Sequence, residues 1–108
     1  MAYGRLDVFW PDGKFESYLL DTPSTSIGRS SGSTIVLDTE TISRYHVSMT
    51  ANDEGLLELA DMDSANGTFV DGVQLKNNET RVLRGGEELQ IGHLRMIYHR
   101  MDLDLTLQ

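Results

Sequence analysis

Turn-forming residues interrupt this chain every few positions, and the segments between them are short. The turn signals fall at residues 11–14, 52–55, 71–72, 77–78 and 85–86. Apolar and polar residues alternate in several of the intervening segments, as they do in β-strands with one buried face. No window keeps the apolar i, i+3, i+4, i+7 spacing over three helical turns, so we predict no helix. Many short strands joined by regular turns are typical of a β-sandwich or a β-barrel.

Eleven segments between the turns have the composition of β-strands. They are residues 3–10, 15–20, 25–28, 34–37, 46–51, 56–60, 68–70, 73–75, 80–83, 88–91 and 94–99. Asp71-Gly72 is the strongest local signal, because Asp-Gly between two strand-like segments favours a two-residue hairpin turn. The sequence therefore predicts an all-β protein.

Length and composition indicate one domain and disfavour several functions. We place the domain in residues 1–100 and expect 101–108, with its alternating leucines, to be the end of a last strand or a linker. The formal net charge is −8, from 17 acidic and nine basic residues, so general affinity for nucleic acid is disfavoured. The sequence contains no cysteine, no apolar stretch of the ~20 residues that a membrane span needs, and no apolar signal region at its start. These features favour a cytoplasmic location.

Two clusters of polar residues in predicted loops have the chemistry to hold an oxyanion. In the first, Gly28 allows close approach of the backbone and Arg29 leaves the end of a strand. In the second, the Ser43 hydroxyl and the Arg44 guanidinium are near enough in sequence to reach one phosphate group. His46 begins the next predicted strand, so we expect it to be a buried, hydrogen-bonded brace for the loops. Arginine side chains and a hydroxyl on one loop face form a receptor for such a group.

A third cluster, Ser64-Ala65-Asn66-Gly67-Thr68, lies just before the predicted hairpin turn. Asn-Gly alone is a common turn. The hairpin that follows would hold the Asn66 amide in a fixed place, and an amide has donors and an acceptor for the backbone of a bound peptide. The cluster therefore predicts a peptide contact.

Catalytic and metal-binding alternatives have weaker support. The residues after Gly28 lack the Gly-Lys-Ser/Thr sequence of a P-loop, and no helix is predicted beside them. Ser43 and His46 suggest a nucleophile and a base, but the Gly-x-Ser-x-Gly elbow is absent. His46, His93 and His99 are not spaced as a metal-ligand set with nearby carboxylates. We therefore expect no catalysis, no metal and no other cofactor.

In order and approximate spacing, the three clusters resemble the forkhead-associated (FHA) domain, a reader of phosphothreonine peptides. The matching positions are Gly28-Arg29, Ser43-x-x-His46, Asn66-Gly67-Thr68, Gly85-Gly86 and Leu89-x-Ile91-Gly92. The flanking strands cover nearly the whole chain. The resemblance implies a two-sheet β-sandwich of about eleven mostly antiparallel strands, with the peptide bound across loops at one end.

The resemblance also implies a role for each matching residue. The residues that bind the phosphopeptide would be Arg29, Ser43, Arg44 and Asn66. Those that shape or brace the loops would be Gly28, His46, Gly67 and Thr68. Within the first group, Arg29 and Ser43 would hold the phosphate with help from Arg44, and Asn66 would hold the peptide main chain.

Two residues depart from the family pattern. Ala65 stands where many members have Thr or Ser, whose hydroxyl adds a phosphate contact worth about 1–2 kcal/mol. Asp71 replaces a common Asn before the hairpin glycine, and Asp suits the same turn nearly as well. Neither change is expected to inactivate the site.

The predicted function is phosphothreonine-dependent binding by a signalling adaptor that is not an enzyme. Its partners would be proteins of Ser/Thr kinase pathways, with no nucleic acid and no membrane span. The alternative is a phosphate-independent interaction or assembly module on the same sandwich, which Ala65 and the leucines of the tail favour. Loops 30–33, 39–42 and 61–65 are expected to select the side chains after the phosphothreonine, and Asp38 and Glu40 disfavour strongly acidic ones.

Overall fold

The computed structural model describes residues 2–101, which form two β-sheets around one shared core. The strands are β1 (Gly4–Phe9), β2 (Phe15–Leu20), β3 (Ser24–Gly28), β4 (Ile35–Val36), β5 (Val47–Ala51), β6 (Leu57–Asp61), β7 (Thr68–Val70), β8 (Val73–Gln74), β9 (Thr80–Leu83), β10 (Glu88–Ile91) and β11 (Leu94–Arg100). Within the described range there is no helix. The predicted all-β architecture with eleven strands is confirmed.

Both sheets combine local hairpins with strands that are distant in sequence. The first sheet has six strands in the order β2-β1-β11-β10-β7-β8, and the second has five in the order β4-β3-β5-β6-β9. Paired neighbours run antiparallel except β3 and β4, which run parallel. The prediction of a two-sheet sandwich with mostly antiparallel strands is therefore also confirmed.

Apolar side chains from both sheets meet in the core. Leu6 and Val8 of β1 lie in the same cluster as Met49 of β5 and Leu59 of β6, and all four are fully excluded from solvent. Burial of each such side chain contributes about 1.5–3 kcal/mol relative to leaving it exposed. This rigid core fixes the strand ends from which the loops emerge.

The hairpin between β7 and β8 turns at Asp71 and Gly72. Their φ angles are +49° and +84°, the left-handed values that a two-residue type I′ turn requires at both central positions. The turn pairs Val70 with Val73 and Phe69 with Gln74. The predicted two-residue Asp-Gly hairpin is confirmed, so Asp71 serves this turn as expected.

Four strands have the predicted bounds, and no bound of the others differs from its prediction by more than one residue. The predicted strand 34–37 is only Ile35–Val36, because Thr34 bonds to the side chain of Ser26 instead of a backbone ladder. β5 begins at Val47, one residue after the predicted start at His46. Met101 lies outside any strand, and residues 102–108 lie outside the described range, so the prediction for the tail stays untested.

Three loops converge at one end of the sandwich. They follow β3, connect β4 to β5, and connect β6 to β7. The turn between β10 and β11 lies at the same end, since the Gly92 N–H donates to the Gly67 carbonyl at 3.3 Å. Nothing in the described range is a helix long and apolar enough to cross a bilayer.

Candidate functional site

The β4–β5 loop is the centre of the site and is bonded to the loops on both sides. The Arg29 N–H donates to the Ser43 carbonyl at 3.0 Å, and the Ser30 N–H donates to the Arg44 carbonyl at 3.1 Å. On the other side, the Ala65 N–H donates to the Ser43 hydroxyl oxygen at 2.9 Å. The three sequence clusters are therefore brought together at one end of the fold.

Gly28 allows the first two loops to approach. A Cβ atom at this position would collide with the Arg44 carbonyl, a backbone group that cannot move aside cheaply. The adjacent Arg29 side chain is exposed, and its Nε donates to the Ile42 carbonyl at 3.2 Å. No described residue receives a bond from its two terminal nitrogens, so the outer side of the guanidinium faces solvent. A guanidinium oriented in this way can make bidentate hydrogen bonds to an oxyanion.

The Ser43 hydroxyl is oriented by the neighbouring loop. Because its oxygen accepts the Ala65 N–H, its own proton is available to donate to a ligand. The Arg44 side chain is exposed and makes no bond to any of residues 2–101. Arg44 therefore lies at the correct end of the fold, but its participation in binding stays a prediction.

His46 is completely buried beneath the loops. Its Nδ1 accepts the Ser43 N–H at 3.0 Å, so the ring proton lies on Nε2, which donates to the Gly67 carbonyl at 2.9 Å. The ring thus joins the second loop to the third, and the predicted buried, hydrogen-bonded position is confirmed. Both ring nitrogens are engaged by backbone groups, which leaves neither to act as a base on the Ser43 hydroxyl.

Asn66 is exposed, and its amide is partly engaged. Its Nδ2 donates to the Thr41 carbonyl at 2.9 Å, which holds the side chain against the β4–β5 loop. The second amide proton and the amide oxygen remain directed away from that bond and match the donor and acceptor of a peptide main chain. Gly67 has a φ of +85°, and a Cβ there would strike the Gln74 amide, so glycine suits this position.

Asp61 organises the third loop, and the sequence analysis did not assign it a role. Its Oδ1 accepts the Ser64 hydroxyl at 2.5 Å and the Thr68 hydroxyl at 2.6 Å, and its Oδ2 accepts the Ser64 N–H at 3.0 Å. The Ser64 oxygen in turn accepts the Gly67 N–H at 3.0 Å. Thr68 is completely buried, consistent with its predicted supporting role. The spacing Asp-x-x-Ser, typical of a side chain that caps its own turn, was the available signal.

Thr41 is a second residue that the sequence analysis did not assign. Its carbonyl holds the Asn66 amide, and its hydroxyl oxygen accepts the His93 N–H at 3.1 Å. A Cβ on Gly92 would collide with the Thr41 backbone, so the β10–β11 turn also supports this loop. A backbone carbonyl is present in every residue, so no sequence signal marked this contact.

The pKa values of the buried His46 and the half-buried Asp61 both lie below their ordinary values. Burial lowers the pKa of His46, although the bond to Gly67 and the charge of Asp61 act in the opposite direction. Burial alone would raise the pKa of Asp61, but the hydrogen bonds from Ser64 and Thr68 outweigh it, so the pKa lies below its ordinary value. At neutral pH the site therefore contains a neutral imidazole and an ionised carboxylate.

We expect Asp61→Asn to destabilise the protein at neutral pH by about 1–3 kcal/mol, because an amide nitrogen would replace an acceptor oxygen. The depressed pKa of Asp61 means that its contribution is present above the unfolded-state pKa, about 3.9, and is lost as the pH falls through the folded-state pKa. Urea unfolding at pH 7 and pH 3 should show a gap between parent and variant that narrows in acid. A gap of constant size would contradict this role for the carboxylate.

The histidines do not converge on a common site. His46 lies beneath the loops, His93 is exposed in the β10–β11 turn, and His99 lies on β11 with its Nε2 2.9 Å from Asp7 Oδ2. Residues 2–101 contain no group of three or more His, Cys, Asp or Glu side chains placed to hold a metal ion.

The FHA domain family model matches residues 25–92 of this chain. This range includes every residue of the three clusters and the Asp61 network. The chain belongs to the FHA-domain family.

Curated relatives agree with this assignment. The chain is 41% identical over 81 residues to the oxoglutarate dehydrogenase inhibitor of Corynebacterium efficiens, which covers 75% of this chain and 54% of the relative. It is 38% identical over 81 residues to the glycogen accumulation regulator GarA of Mycolicibacterium smegmatis, covering 75% and 49%. The chain therefore spans about half the length of these relatives.

A solved structure has the same architecture. A chain from a structural and functional analysis of phosphothreonine-dependent FHA domain interactions superimposes with a TM-score of 0.76 and 26% identity. The match covers 91% of this chain and 98% of that chain. The two-sheet sandwich is thus the complete fold of that related domain.

Proposed function

We propose that this chain binds phosphothreonine-containing peptides across the loops at the Gly28 end of the sandwich, with Arg29 and Ser43 as the phosphate ligands. The observation that carries this proposal is the orientation of these two groups. The Arg29 guanidinium is held by its Nε against the carbonyl of Ile42, the residue before Ser43, and the Ser43 hydroxyl oxygen is already occupied by the Ala65 N–H.

The charges of the ligand and the site are complementary. A phosphothreonine carries about −1.5 to −2 charges at pH 7 and three acceptor oxygens. Arg29 and Ser43 supply donors, and the exposed Arg44 adds positive charge at the same end. The remaining donor and acceptor of Asn66 pair with the peptide main chain, so peptide recognition and phosphate recognition use adjacent loops.

The biological role is that of an adaptor that recognises phosphorylated partners of Ser/Thr kinases, in the cytoplasm and without catalysis. Relatives in this family include proteins named as an inhibitor and as a regulator, which supports a binding role. The engagement of both His46 ring nitrogens by backbone groups supports the absence of a catalytic base.

Calorimetric titration with a phosphothreonine peptide and its unphosphorylated twin tests the proposal. We expect an affinity near the micromolar level, about 8 kcal/mol, for the phosphorylated peptide. Loss of two charge-assisted bonds at about 1.5–3 kcal/mol each should weaken the twin by roughly 100-fold or more. Equal affinity for the two peptides would instead favour a phosphate-independent interaction module.

Ala65→Thr should tighten binding of the phosphorylated peptide by roughly five- to thirty-fold, or ~1–2 kcal/mol. Ala65 is exposed and adjoins Ser43 through its N–H, so an added hydroxyl would lie beside the phosphate ligands. The gain should shrink below about pH 6, where the phosphate takes up its second proton. Titrations at pH 7.5 and pH 5.5 measure both effects.

Ala65→Val is the matched control, because valine has the shape of threonine without its hydroxyl. It should leave the affinity near that of the parent. An equal gain in Ala65→Val, or an equal gain of Ala65→Thr for the unphosphorylated peptide, would show that the position senses peptide shape and not phosphate.

A further inference from the structure

Strand β2 is the longest edge strand of the two sheets within residues 2–101. It pairs with β1 on one side, and among residues 2–101 no strand pairs with its other side. The remaining edges are shorter: β4 and β8 have two residues each, and β9 has four. β2 has six residues, with no lysine or proline between Phe15 and Leu20 and with Glu16 as its one charged residue. Such an edge is a template for another strand unless something blocks it.

The backbone groups that face outward from β2 belong to alternate residues. Trp10 N–H donates to the Lys14 carbonyl at 2.9 Å, in the same register that pairs Val8 with Glu16. In an antiparallel ladder the bonded pairs recur at every second residue. The even-numbered residues of β2 therefore bond to β1, and the N–H and C=O groups of Phe15, Ser17 and Leu19 point away from the sheet.

The same three residues direct their side chains to the outer face of the sheet. Phe15 is 55% exposed and Leu19 is 56% exposed, so both apolar side chains are open to solvent at this edge. Phe15 lies 5.2 Å from the Phe9 ring, and the Arg95 guanidinium lies 4.9 Å from the Phe9 ring centre. The Phe15 ring thus packs against the ring of its neighbour Phe9.

We propose that a second copy of this chain pairs with β2 through its own β2, antiparallel and centred on Ser17. Around a twofold axis at Ser17, Phe15 of one copy lies opposite Leu19 of the other, and each Ser17 lies opposite its equivalent. Each of these three residues then forms a hydrogen-bonded pair with the residue opposite it in the other copy, through its backbone N–H and C=O groups. The interface is isologous, as twofold dimers require, and it covers four exposed apolar side chains.

Charge selects this register over its neighbours. Centring on Ser17 places Glu16 opposite Tyr18 of the other copy. A shift of the axis to residue 16 would place Glu16 opposite its own equivalent, and like charges directly opposite each other destabilise a strand pair. A shift to residue 18 would place Phe15 opposite Asp21, which leaves the phenyl ring without an apolar partner. Of these three registers, only the central one places Phe15 opposite an apolar residue and keeps the two Glu16 carboxylates apart.

This dimer would orient the two phosphopeptide sites in opposite directions, a consequence that rests on the proposed function. The Phe15 end of β2 lies at the loop end of the sandwich, since Phe9 pairs with Arg95 close to the β10–β11 turn. Antiparallel pairing reverses that end in the second copy. One dimer would therefore link two phosphorylated partners and would not clamp two sites on one short peptide.

Sedimentation velocity over a range of protein concentrations tests the interface with the full chain and no peptide. Leu19→Lys should weaken the dimer roughly ten-fold or more, because the substitution acts twice across the axis. Val73→Lys is the matched control: Val73 is 57% exposed on β8, the other edge of the same sheet, and its substitution should change nothing. Added salt should tighten the dimer, because each copy has a formal charge of −8.

A cysteine placed on the axis tests the register directly, since the sequence has no cysteine of its own. Ser17→Cys should be joined between copies by a short thiol-specific cross-linker, because directly opposed Cβ atoms lie about 4.5–5.5 Å apart, within the reach of such a reagent. Val73→Cys should not. A chain that stays monomeric at every concentration, or equal cross-linking of both variants, overturns the proposal. A strand from another protein would then be the remaining candidate to pair with β2. Because no peptide is present, failure here leaves the phosphopeptide proposal unaffected.

Discussion

Arg29→Ala should reduce affinity for a phosphothreonine peptide at least ten-fold and up to several hundred-fold, with almost no change in thermal stability. The guanidinium is exposed, and its only bond within residues 2–101 is from Nε to the Ile42 carbonyl. Loss of a charge-assisted fork to a phosphate costs about 1.5–3 kcal/mol or more. The loss of one partly exposed bond costs far less in folding, so the melting temperature should stay nearly unchanged.

Arg84→Ala is the matched control for Arg29→Ala. Arg84 is also exposed, but it follows β9 at the end of the sandwich away from the binding loops. The two variants remove the same charge from the same protein, so they separate a local contact from the general effect of net charge. Calorimetry should show a large loss for Arg29→Ala and little change for Arg84→Ala. Parent-like affinity in Arg29→Ala would mean that the phosphate ligands have been assigned wrongly.

Most of the fold was predictable because local chemistry and tertiary structure agree. Asp71-Gly72 adopts the two positive φ angles that its residue types favour, so the hairpin follows from two adjacent residues. The short strand β4 was overestimated because Thr34 bonds to a side chain, Ser26, across the sheet. Such a contact joins residues eight positions apart and leaves no periodic trace in the sequence.

The candidate site was predictable where it consists of side chains of distinctive chemistry. Arg29, Ser43 and Asn66 were predicted because a guanidinium, a hydroxyl and an amide are the groups that an oxyanion and a peptide main chain need, and the structure places all three at one end of the fold. The Thr41 carbonyl and the carboxylate of Asp61 were not found. Their roles arise from three loops meeting at one end of the fold, and that meeting depends on strand order in both sheets.

The structure also explains why the loops meet with little freedom. Gly28 lies against the Arg44 carbonyl, and Gly92 lies against the Thr41 backbone, so both contacts require the absence of a side chain. Between them, Ser43 connects the second loop to the third through the Ala65 N–H. Preorganisation of this kind lowers the cost of ordering the site when a ligand binds.

His46→Ala should lower the free energy of unfolding by about 2–5 kcal/mol, the largest stability loss that we expect at this site. The substitution leaves the Ser43 N–H and the Gly67 carbonyl without their partner, at about 1–3 kcal/mol each, and leaves a cavity where the ring was. Peptide affinity should fall as well, because the second and third loops lose their shared brace. His93→Ala, at an exposed position in the β10–β11 turn, should have little effect on stability.

The acid dependence of stability distinguishes a buried neutral brace from a residue that contacts the ligand. Burial lowers the pKa of His46, so its contribution is fully present above the unfolded-state pKa, about 6.5. It is lost progressively as the pH falls below that value toward and through the folded-state pKa, because the unfolded chain then binds the extra proton. Chemical unfolding from pH 8 to pH 5 should therefore show a stability gap between parent and His46→Ala that narrows in acid. An unchanged melting temperature with lost peptide binding would mean that His46 contacts the ligand and does not stabilise the loops.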